Sequence, residues 1–439
     1  MVILKKYQNK KIAVYGMGKT GCSSAKTLKK LKAKIFCWDD NKKTRKQIKF
    51  FFNLNKFWLK KEKIDYILIS PGIDIDKCKI KKFLIKNKKK IITDLDLFFE
   101  MNKNELIISI TGTNGKSTTC KILEKILKTA KLNVKTLGNI GNPILSFKQD
   151  NKKYVFILEA SSYQLQYSKL FRSNHAAILN ISPDHLERHN NIKNYMKVKS
   201  KIFLAQKELD YSYINKSNKY YNFIKNFFKK NKVKSNLIEI NKHTSKNILK
   251  KIKNKYFKSG GNIENLNFAY KIAKNLKISD QIILEAINNF KGLPHRQEIV
   301  FSNQKILCIN DSKATSYDAC LQSLLNYNKI YWIVGGSPKH KDYFNLKKVK
   351  KKIIKAYVIG KKSNFFVKQI KNIIPFENSL NLKNAVNSIY KDLKKSKNTK
   401  NTVLLSPAAA SYDQFNNFES RGNYFKKIAT NKFKENINV

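Results

Sequence analysis

The chain has 439 residues, too many for one compact core, and its 42% apolar content is enough to fold two or three domains. No apolar run approaches the roughly 18–20 residues needed to cross a bilayer, which excludes a membrane-spanning class. The net charge of +60 suggests nucleic-acid binding, but the excess is spread along the chain and includes only five arginines, the residue that base readout favours. A solvated lysine surface is therefore the preferred interpretation, and no specific nucleic-acid partner is expected.

The first segment alternates strands with helical stretches, which is typical of a parallel α/β sheet. Strands are predicted at 11–16, 33–40 and 65–72, with a short one at 91–94 and a helix that ends near Leu31. Since this pattern closes near Asp94, a first domain over residues 1–94 is expected, Rossmann-like in architecture.

A second run of the same kind begins with the strand at 106–110 and continues with a helix at 119–130. Strands at 154–160 and 175–182 extend it, the stretch 207–260 gives no clear pattern, and two helices are predicted at 264–276 and 279–290. A central α/β domain of the P-loop ATPase type is therefore expected over residues 95–292.

After a linker at 291–298, a third α/β run is predicted from four apolar strands at 305–311, 329–336, 355–360 and 401–407. It predicts a C-terminal Rossmann-like domain over residues 293–439. The whole chain is thus expected to be an α/β protein of three domains.

The octapeptide TGTNGKST at 111–118 lies between a strand and a helix, where a phosphate loop belongs. Backbone N–H groups at the helix start can hold phosphate oxygens, Lys116 can neutralise their charge, and Ser117 can reach a magnesium ion. Ile110 stands where the usual spacing has its first glycine, so Gly112 turns a tighter loop. The alternative, a plain Gly-Lys turn, is less favoured.

The hexapeptide GMGKTG at 16–21 follows the first strand, and Asp39 ends the second, as in a dinucleotide fingerprint. The pattern does not distinguish a nicotinamide cofactor from another nucleotide diphosphate. Tight packing of a helix on a strand is the structural alternative.

Other polar side chains follow predicted strands, at the sheet edge where open α/β sheets bind ligands. Glu159, Asp184 and His185 supply oxygen and nitrogen ligands for divalent ions, although a lone histidine is more often structural. Arg296, Asp311 and Lys313 belong to the third domain, and the arginine and the lysine could clamp a transferring phosphoryl group. An active site in a cleft that closes is expected.

At this point the chain resembles the Mur ligases of peptidoglycan synthesis over its full length. The stretches that carry the resemblance follow the family order: GMGKTG, SPGI at 70–73, TGTNGKST, GNIG at 138–141, LEASSYQL at 158–165, SPDHLERH at 182–189, LPHR at 293–296, NDSKATS at 310–316 and LLSPAAASYDQFNNFESRG at 404–422. The last stretch is similar to the D-glutamate-adding branch of the family. Departures from the usual pattern are Gly261, Asn41–Lys42 and the loop 335–344.

The resemblance implies an ATP-dependent ligase that adds D-glutamate to UDP-N-acetylmuramoyl-L-alanine through an acyl phosphate, with ATP and two Mg²⁺ ions that Mn²⁺ could replace. The implied catalytic residues are Lys116, His185, Lys199 and Arg296. The implied ATP contacts are Gly112, Asn114, Gly115, Lys116, Ser117, Thr118, Asn265, Arg296, Asp311 and Lys313. The implied UDP-sugar contacts are Thr20, Asp39, Ser70, Pro71, Gly72 and Asn139. The implied D-glutamate contacts are His185, Thr315, Lys339, Ser411, Tyr412 and Phe418. The implied metal ligands are Ser117, Glu159, His185 and Lys199, the last if it is carbamylated, although Lys197 and Lys201 flank it.

Three alternatives remain at this stage: a neighbouring Mur ligase or folylpolyglutamate-type enzyme, a nicotinamide oxidoreductase, and a basic P-loop protein acting on nucleic acid. A cytoplasmic location is expected, because the N-terminus lacks an apolar leader, and the six scattered cysteines are expected to be reduced thiols. A monomer without membrane insertion is also expected.

Overall fold

A computed structural model describes residues 5–59, 63–138, 143–147, 150, 152–258, 260–338, 342–396 and 400–434. By its internal contacts the chain forms two compact units. The first comprises Met1–Lys258 and Asn262–Phe290, and the second comprises Ser259–Gly261 and Lys291–Val439. No helix among the described residues is both long and apolar enough to cross a membrane, and the six cysteines carry free thiols.

The first unit contains a four-stranded parallel sheet in the order β2-β1-β3-β4. Its strands are β1 (Lys11–Tyr15), β2 (Lys34–Trp38), β3 (Tyr66–Ile69) and β4 (Ile91–Ile92). The helices that follow them are α1 (Lys19–Lys30), α2 (Lys42–Ile48), α3 (Lys81–Lys86) and α4 (Asp94–Met101). Strand β1 is apolar and almost wholly buried, as expected for a parallel sheet that is covered on both faces.

A second sheet of the first unit has six parallel strands in the order β10-β9-β8-β5-β7-β6. They are β5 (Leu106–Thr111), β6 (Val134–Gly138), β7 (Val155–Glu159), β8 (His175–Ile178), β9 (Tyr211–Asn215) and β10 (Asn236–Ile240). The helices are α5 (Lys116–Thr129), α6 (Ser162–Tyr167), α7 (Leu186–His189), α8 (Ile192–Ser200), α9 (Tyr221–Lys230), α10 (Lys246–Leu249), α11 (Gly260–Asn275) and α12 (Asp280–Asn288). Strands β5 and β7 lie at its centre and are buried along their length.

The two sheets of the first unit share one hydrophobic core and a buried carboxylate. Asp96, in the first turn of α4, is fully buried. One of its oxygens accepts hydrogen bonds from the backbone N–H groups of residues 169–171 and from the Ser168 hydroxyl. The other accepts from the N–H and hydroxyl of Thr93, which closes a capping box on α4. Asp96 therefore fastens the start of α4 to the loop that follows α6.

The second unit is built on a six-stranded sheet in the order β11-β12-β16-β13-β14-β15, in which only the β11–β12 pairing is antiparallel among the described strands. Its strands are β11 (Glu298–Ser302), β12 (Ile306–Asn310), β13 (Ile330–Gly335), β14 (Ile353–Ile359), β15 (Phe376–Leu380) and β16 (Asn401–Leu405). Its helices are α13 (Tyr317–Asn326), α14 (Ser363–Ile370), α15 (Leu382–Lys395) and α16 (Phe418–Lys434). Buried side chains cover both faces of the sheet.

The predicted α/β class with three sheets is confirmed. The domain boundaries at 94 and 292 stay predictions. Within 207–260, where no clear pattern was predicted, the structure forms β9, α9, β10 and α10. Strand β10 is largely half-buried at the edge of its sheet, so it lacks the continuous apolar run that marks the central strands.

Candidate active site

The phosphate loop joins the end of β5 to the start of α5, and its glycines adopt backbone conformations that other residues rarely take. Gly112 has φ +153° and Gly115 has φ +81°. A Cβ atom on Gly115 would lie 2.1 Å from the Asn265 side-chain oxygen, so no larger residue fits there without moving Asn265. The same Asn265 oxygen accepts from the Thr119 hydroxyl at 3.2 Å. Helix α11 thus brings the predicted residue Asn265 against the loop.

The far side of the loop is bound to the segment that follows β8. Thr113 N–H donates to the Asn180 carbonyl and Asn114 N–H donates to the Asn180 side-chain oxygen, both at 2.9 Å. The Thr113 hydroxyl accepts from the N–H of Ser182 at 3.0 Å. These bonds hold the loop backbone in place. Helix α5 begins at Lys116, so the N–H groups of its first turn lie at the loop.

Lys116 and Ser117 occupy the first turn of α5. The Lys116 ammonium donates to the carbonyls of Gly112 at 2.9 Å and Thr113 at 2.8 Å, which holds the positive charge over the loop. The Ser117 hydroxyl donates to Glu159 Oε2 at 2.6 Å, and both side chains are buried. Glu159 ends β7, the strand beside β5, so adjacent strand ends bring the serine and the carboxylate together.

The Ser117–Glu159 pair has the chemistry of a magnesium site, since Mg²⁺ prefers oxygen ligands and usually keeps waters and phosphate oxygens. Among the described residues no cluster of three or more His, Cys, Asp or Glu side chains could hold a metal by itself. The residues present therefore fit an ion that arrives with phosphate oxygens, rather than one that is held by a complete protein cage.

His185 lies just before α7 in the left-handed conformation, with φ +54°. Its Nδ1 is 2.9 Å from the hydroxyl of Tyr163, and the two rings contact each other. Asp184 Oδ2 lies 3.4 Å from His185 Nε2. Tyr163 belongs to the stretch LEASSYQL but was not predicted as a site residue. Its hydroxyl fixes the orientation of the imidazole ring.

Lys199 is buried at the end of α8, and its amine reaches the base of the phosphate loop. Nζ lies 2.8 Å from the Gly112 carbonyl and 3.3 Å from the Thr111 hydroxyl. Burial and the nearby Lys116 charge lower the pKa of Lys199 well below its usual value. Lys197 is exposed and Lys201 donates to the Gln166 carbonyl, so of these three lysines it is Lys199 that contacts the loop.

At the carboxyl edge of the first sheet, the glycine turn 16–21 is held by two of the residues predicted from the sequence. Ser70 donates to the Gly16 carbonyl at 2.5 Å, and Asp39 accepts from the N–H of Met17 at 2.6 Å. A Cβ on Gly21 would lie 1.9 Å from the Gly16 carbonyl oxygen, so close packing of α1 on the turn requires glycine. Thr20 lies in the first turn of α1 and residues 71–72 follow β3. Asn139 lies outside the described residues.

Arg45 is a feature of this edge that the sequence pattern did not predict. Its guanidinium stacks on the Trp38 ring at 4.6 Å and donates to the carbonyls of Asp39 at 2.7 Å and Asp40 at 3.0 Å. Asn41, one of the departures noted in the sequence, caps α2 through its side-chain oxygen. A cationic group is therefore present beside Asp39, on α2.

In the second unit, Asp311 follows β12 and is buried beneath the loops at the sheet edge. Its carboxylate accepts from Ser323 at 2.5 Å, from Ser406 at 2.9 Å and from the N–H of Gln297 at 3.2 Å. Burial raises its pKa to about 6, and these hydrogen bonds and the charge of Arg296 oppose that shift. The acceptor capacity of Asp311 is thus largely used within its own unit.

Arg421 joins two loops of the second unit, and these loops carry three of the six residues predicted to bind D-glutamate, Thr315, Ser411 and Tyr412. It donates to the Ser312 hydroxyl at 3.0 Å and to the carbonyls of Ser312 at 2.8 Å and Ala409 at 3.0 Å. Lys313 lies over the Phe418 ring at 4.8 Å. Ser411 is buried and Tyr412 is exposed, whereas Lys339 lies outside the described residues.

A family model described as the Mur ligase middle domain matches residues 110–283. A UDP-N-acetylmuramoylalanine–D-glutamate ligase from Rickettsia prowazekii is 36% identical and covers 96% of this chain and 98% of that protein. The ligase of the same name from Clostridioides difficile is 32% identical over 97% of this chain and 99% of its own. The chain belongs to the UDP-N-acetylmuramoylalanine–D-glutamate ligase family.

This family is the D-glutamate-adding branch of the Mur ligases, so the family predicted from the motifs is confirmed, and with it the enzyme class of an ATP-dependent ligase. A solved MurF ligase from Thermotoga maritima, in complex with ADP, covers 98% of both chains with a TM-score of 0.57 and 15% identity. The MurC ligase of the same organism gives a TM-score of 0.54. At this identity the two structures support the fold alone.

Within this ligase the predicted site residues fall into three groups by position. The phosphate loop, Glu159, Lys199 and Asn265 come together on the second sheet, with His185 on the segment after β8. The predicted residues at the carboxyl edge of the first sheet are Thr20, Asp39, Ser70, Pro71 and Gly72. Those in the second unit are Arg296, Asp311, Lys313, Thr315, Ser411, Tyr412 and Phe418.

Proposed function

We propose that this ligase joins D-glutamate to the alanyl carboxyl group of UDP-N-acetylmuramoyl-L-alanine, at the expense of ATP. The observation that supports this most strongly is the Ser117–Glu159 pair beneath the phosphate loop. It places oxygen ligands for a divalent cation one residue from Lys116. That arrangement suits the transfer of a phosphoryl group to a carboxylate, whereas an oxidoreductase would not need it.

In the proposed reaction an oxygen of the alanyl carboxylate attacks the γ-phosphorus of ATP, the bond to the bridging oxygen breaks, and ADP leaves. The amine nitrogen of D-glutamate then attacks the acyl carbon and loses a proton, and the tetrahedral intermediate expels phosphate to leave the amide. The loop N–H groups and Lys116 oppose the negative charge that develops on the phosphoryl oxygens. His185, held by Tyr163, is proposed to position the acyl phosphate.

Ser117, Glu159 and His185 are the residues proposed to hold Mg²⁺, with Mn²⁺ as a substitute. The ion would supply charge neutralisation at the phosphates when bound. Lys199 is proposed to become carbamylated: its neutral amine attacks CO₂, a nitrogen–carbon bond forms, and a proton is lost. The lowered pKa of Lys199 favours the neutral amine that this step requires.

The other residues predicted to bind the substrates keep those roles as predictions. Thr20, Asp39, Ser70, Pro71, Gly72 and Asn139 are proposed for the UDP-sugar, and Arg296, Asp311 and Lys313 for the nucleotide. Thr315, Lys339, Ser411, Tyr412 and Phe418, together with His185, are proposed for D-glutamate. A cytoplasmic monomer remains the proposed state.

Phosphate release tests the proposal directly. The purified chain is given ATP and Mg²⁺. D-glutamate with UDP-N-acetylmuramoyl-L-alanine is compared with L-glutamate, L-alanine and a diamino acid, each supplied with its own matching acceptor. Turnover is expected with D-glutamate, and the Lys116→Met variant should reduce it by at least about a hundredfold, since the lysine opposes transition-state charge. Absence of turnover with D-glutamate, or stimulation by RNA in its place, would overturn the assignment.

A further inference from the structure

Asn180 and Glu264 form a chain of hydrogen bonds that ends at the phosphate loop, and the Glu264 carboxylate has no part in the reaction described above. Asn180 follows β8 and holds the loop at two consecutive residues, through its carbonyl to Thr113 N–H and through its side-chain oxygen to Asn114 N–H. The amide nitrogen of the same side chain donates to Glu264 Oε1 at 2.8 Å. Glu264 lies on α11, directly before Asn265.

The hydrogen-bond partners fix the orientation of the Asn180 amide. Because the N–H of Asn114 is a donor, the Asn180 oxygen must face the loop, and the amide nitrogen must then find an acceptor on the opposite side. A carboxylate is an acceptor only and meets this demand. The Asn215 side chain, at the end of β9, interacts with the same carboxylate and also favours its ionised form.

Consecutive residues of α11 therefore hold both ends of the loop. Asn265 contacts the Gly115 end, where it also accepts from Thr119. Glu264 acts at the Thr113–Asn114 end through Asn180. We propose that Glu264 is a positioning residue for nucleotide binding, which acts through Asn180 to hold the phosphate loop with its N–H groups in place. This inference rests on one part of the proposed function, namely that the nucleotide bound at the loop is ATP.

Glutamine cannot replace Glu264 in this role, although it has almost the same shape. Two amides direct donors at the carboxylate, and a glutamine offers one acceptor and one donor in its place. Either Asn180 or Asn215 would then face another N–H group. Burial raises the pKa of Glu264, and the hydrogen bonds from the Asn180 and Asn215 amides oppose that rise.

The test measures ADP binding to the full-length chain in the presence of Mg²⁺ by calorimetry, together with KM for ATP and for D-glutamate. The Glu264→Gln variant should weaken ADP binding and raise KM for ATP by about three- to tenfold, the effect of losing one hydrogen bond in the network, and leave KM for D-glutamate within about twofold. Glu100→Gln is the matched control, because Glu100 is also a buried carboxylate of the first unit but bonds to Lys6 and Tyr7. It should lower the melting temperature and leave ADP binding unchanged.

A double-mutant cycle with Asn180→Ala shows whether Glu264 acts through Asn180. In the Asn180→Ala background, Glu264→Gln should cause no further loss of ADP affinity. Additive losses, or an ADP affinity of the single Glu264→Gln variant within twofold of the parent, would overturn the proposal. ADP binding needs neither acceptor nor D-glutamate, so a chain that responds as expected here but does not turn over D-glutamate would contradict the proposed function alone.

Discussion

Replacement of Gly115 by alanine tests whether the glycine of the phosphate loop is required by both conformation and space. The residue has φ +81°, which costs a side-chain-bearing residue about 1–2 kcal/mol. The new methyl group would also lie 2.1 Å from the Asn265 oxygen, so Asn265 must move and its hydrogen bond from Thr119 is lost, at about 1 kcal/mol. The total is roughly 2–3 kcal/mol.

This cost should appear in one of two measurements. If the loop keeps its conformation, the free energy of unfolding falls by about 2–3 kcal/mol in urea titrations. If the loop relaxes, that conformation must form again when nucleotide binds, and ADP affinity falls by about 30- to 150-fold in calorimetry. Calorimetry and urea unfolding together therefore measure the whole effect.

Gly18→Ala provides the matched control. Gly18 lies in the other glycine turn with φ −70°, and a Cβ atom there meets no heavy atom within 4 Å. Its unfolding free energy and ADP affinity should stay within about 0.5 kcal/mol of the parent. If Gly115→Ala shows changes as small as this control in both measurements, then the steric account of the loop is wrong.

Two predictions concern the buried carboxylates of α4. Asp96→Asn replaces one acceptor oxygen with an amide group that faces the Thr93 donors, so the free energy of unfolding in urea should fall by about 2–3 kcal/mol. The control Asp76→Asn, at the exposed Asp76–Lys81 pair, should change it by less than about 0.5 kcal/mol. Equal effects of the two variants would contradict the anchoring role of Asp96. Asp94 has its pKa raised by burial from 3.8 to about 6, so its contribution to stability is present below pH 4 and lost as the pH rises through 6. The stability of Asp94→Asn relative to the parent should therefore rise by roughly 1–3 kcal/mol between pH 4.5 and 7.5, and a difference independent of pH would refute the assignment.

The sequence alone determined the α/β class, the phosphate loop and the family. These features depend on local signals: continuous apolar strands, glycines at fixed spacing, and polar residues just after the strands. Their physical basis is short-range, since a strand buried on both faces must be apolar, and a turn with positive φ favours glycine. The resemblance implied that Ser117 and Glu159 are metal ligands; the structure joins the two side chains by a hydrogen bond, and their role in binding a metal stays a prediction.

Only the tertiary structure showed which side chains hold these groups in place. Tyr163 bonds to His185, Arg45 bonds to Asp39, and Glu264 reaches the phosphate loop through Asn180. Hydrogen bonds between elements of this kind leave no periodic pattern in the sequence. The sequence offers three lysines at alternate positions, Lys197, Lys199 and Lys201, and the structure shows that Lys199 is the one whose buried amine contacts the Gly112 carbonyl; its carbamylation stays a prediction. Strand β10 was overlooked because an edge strand needs little apolar surface. In this chain the local pattern determines the chemistry of the site, and packing between distant segments determines its geometry.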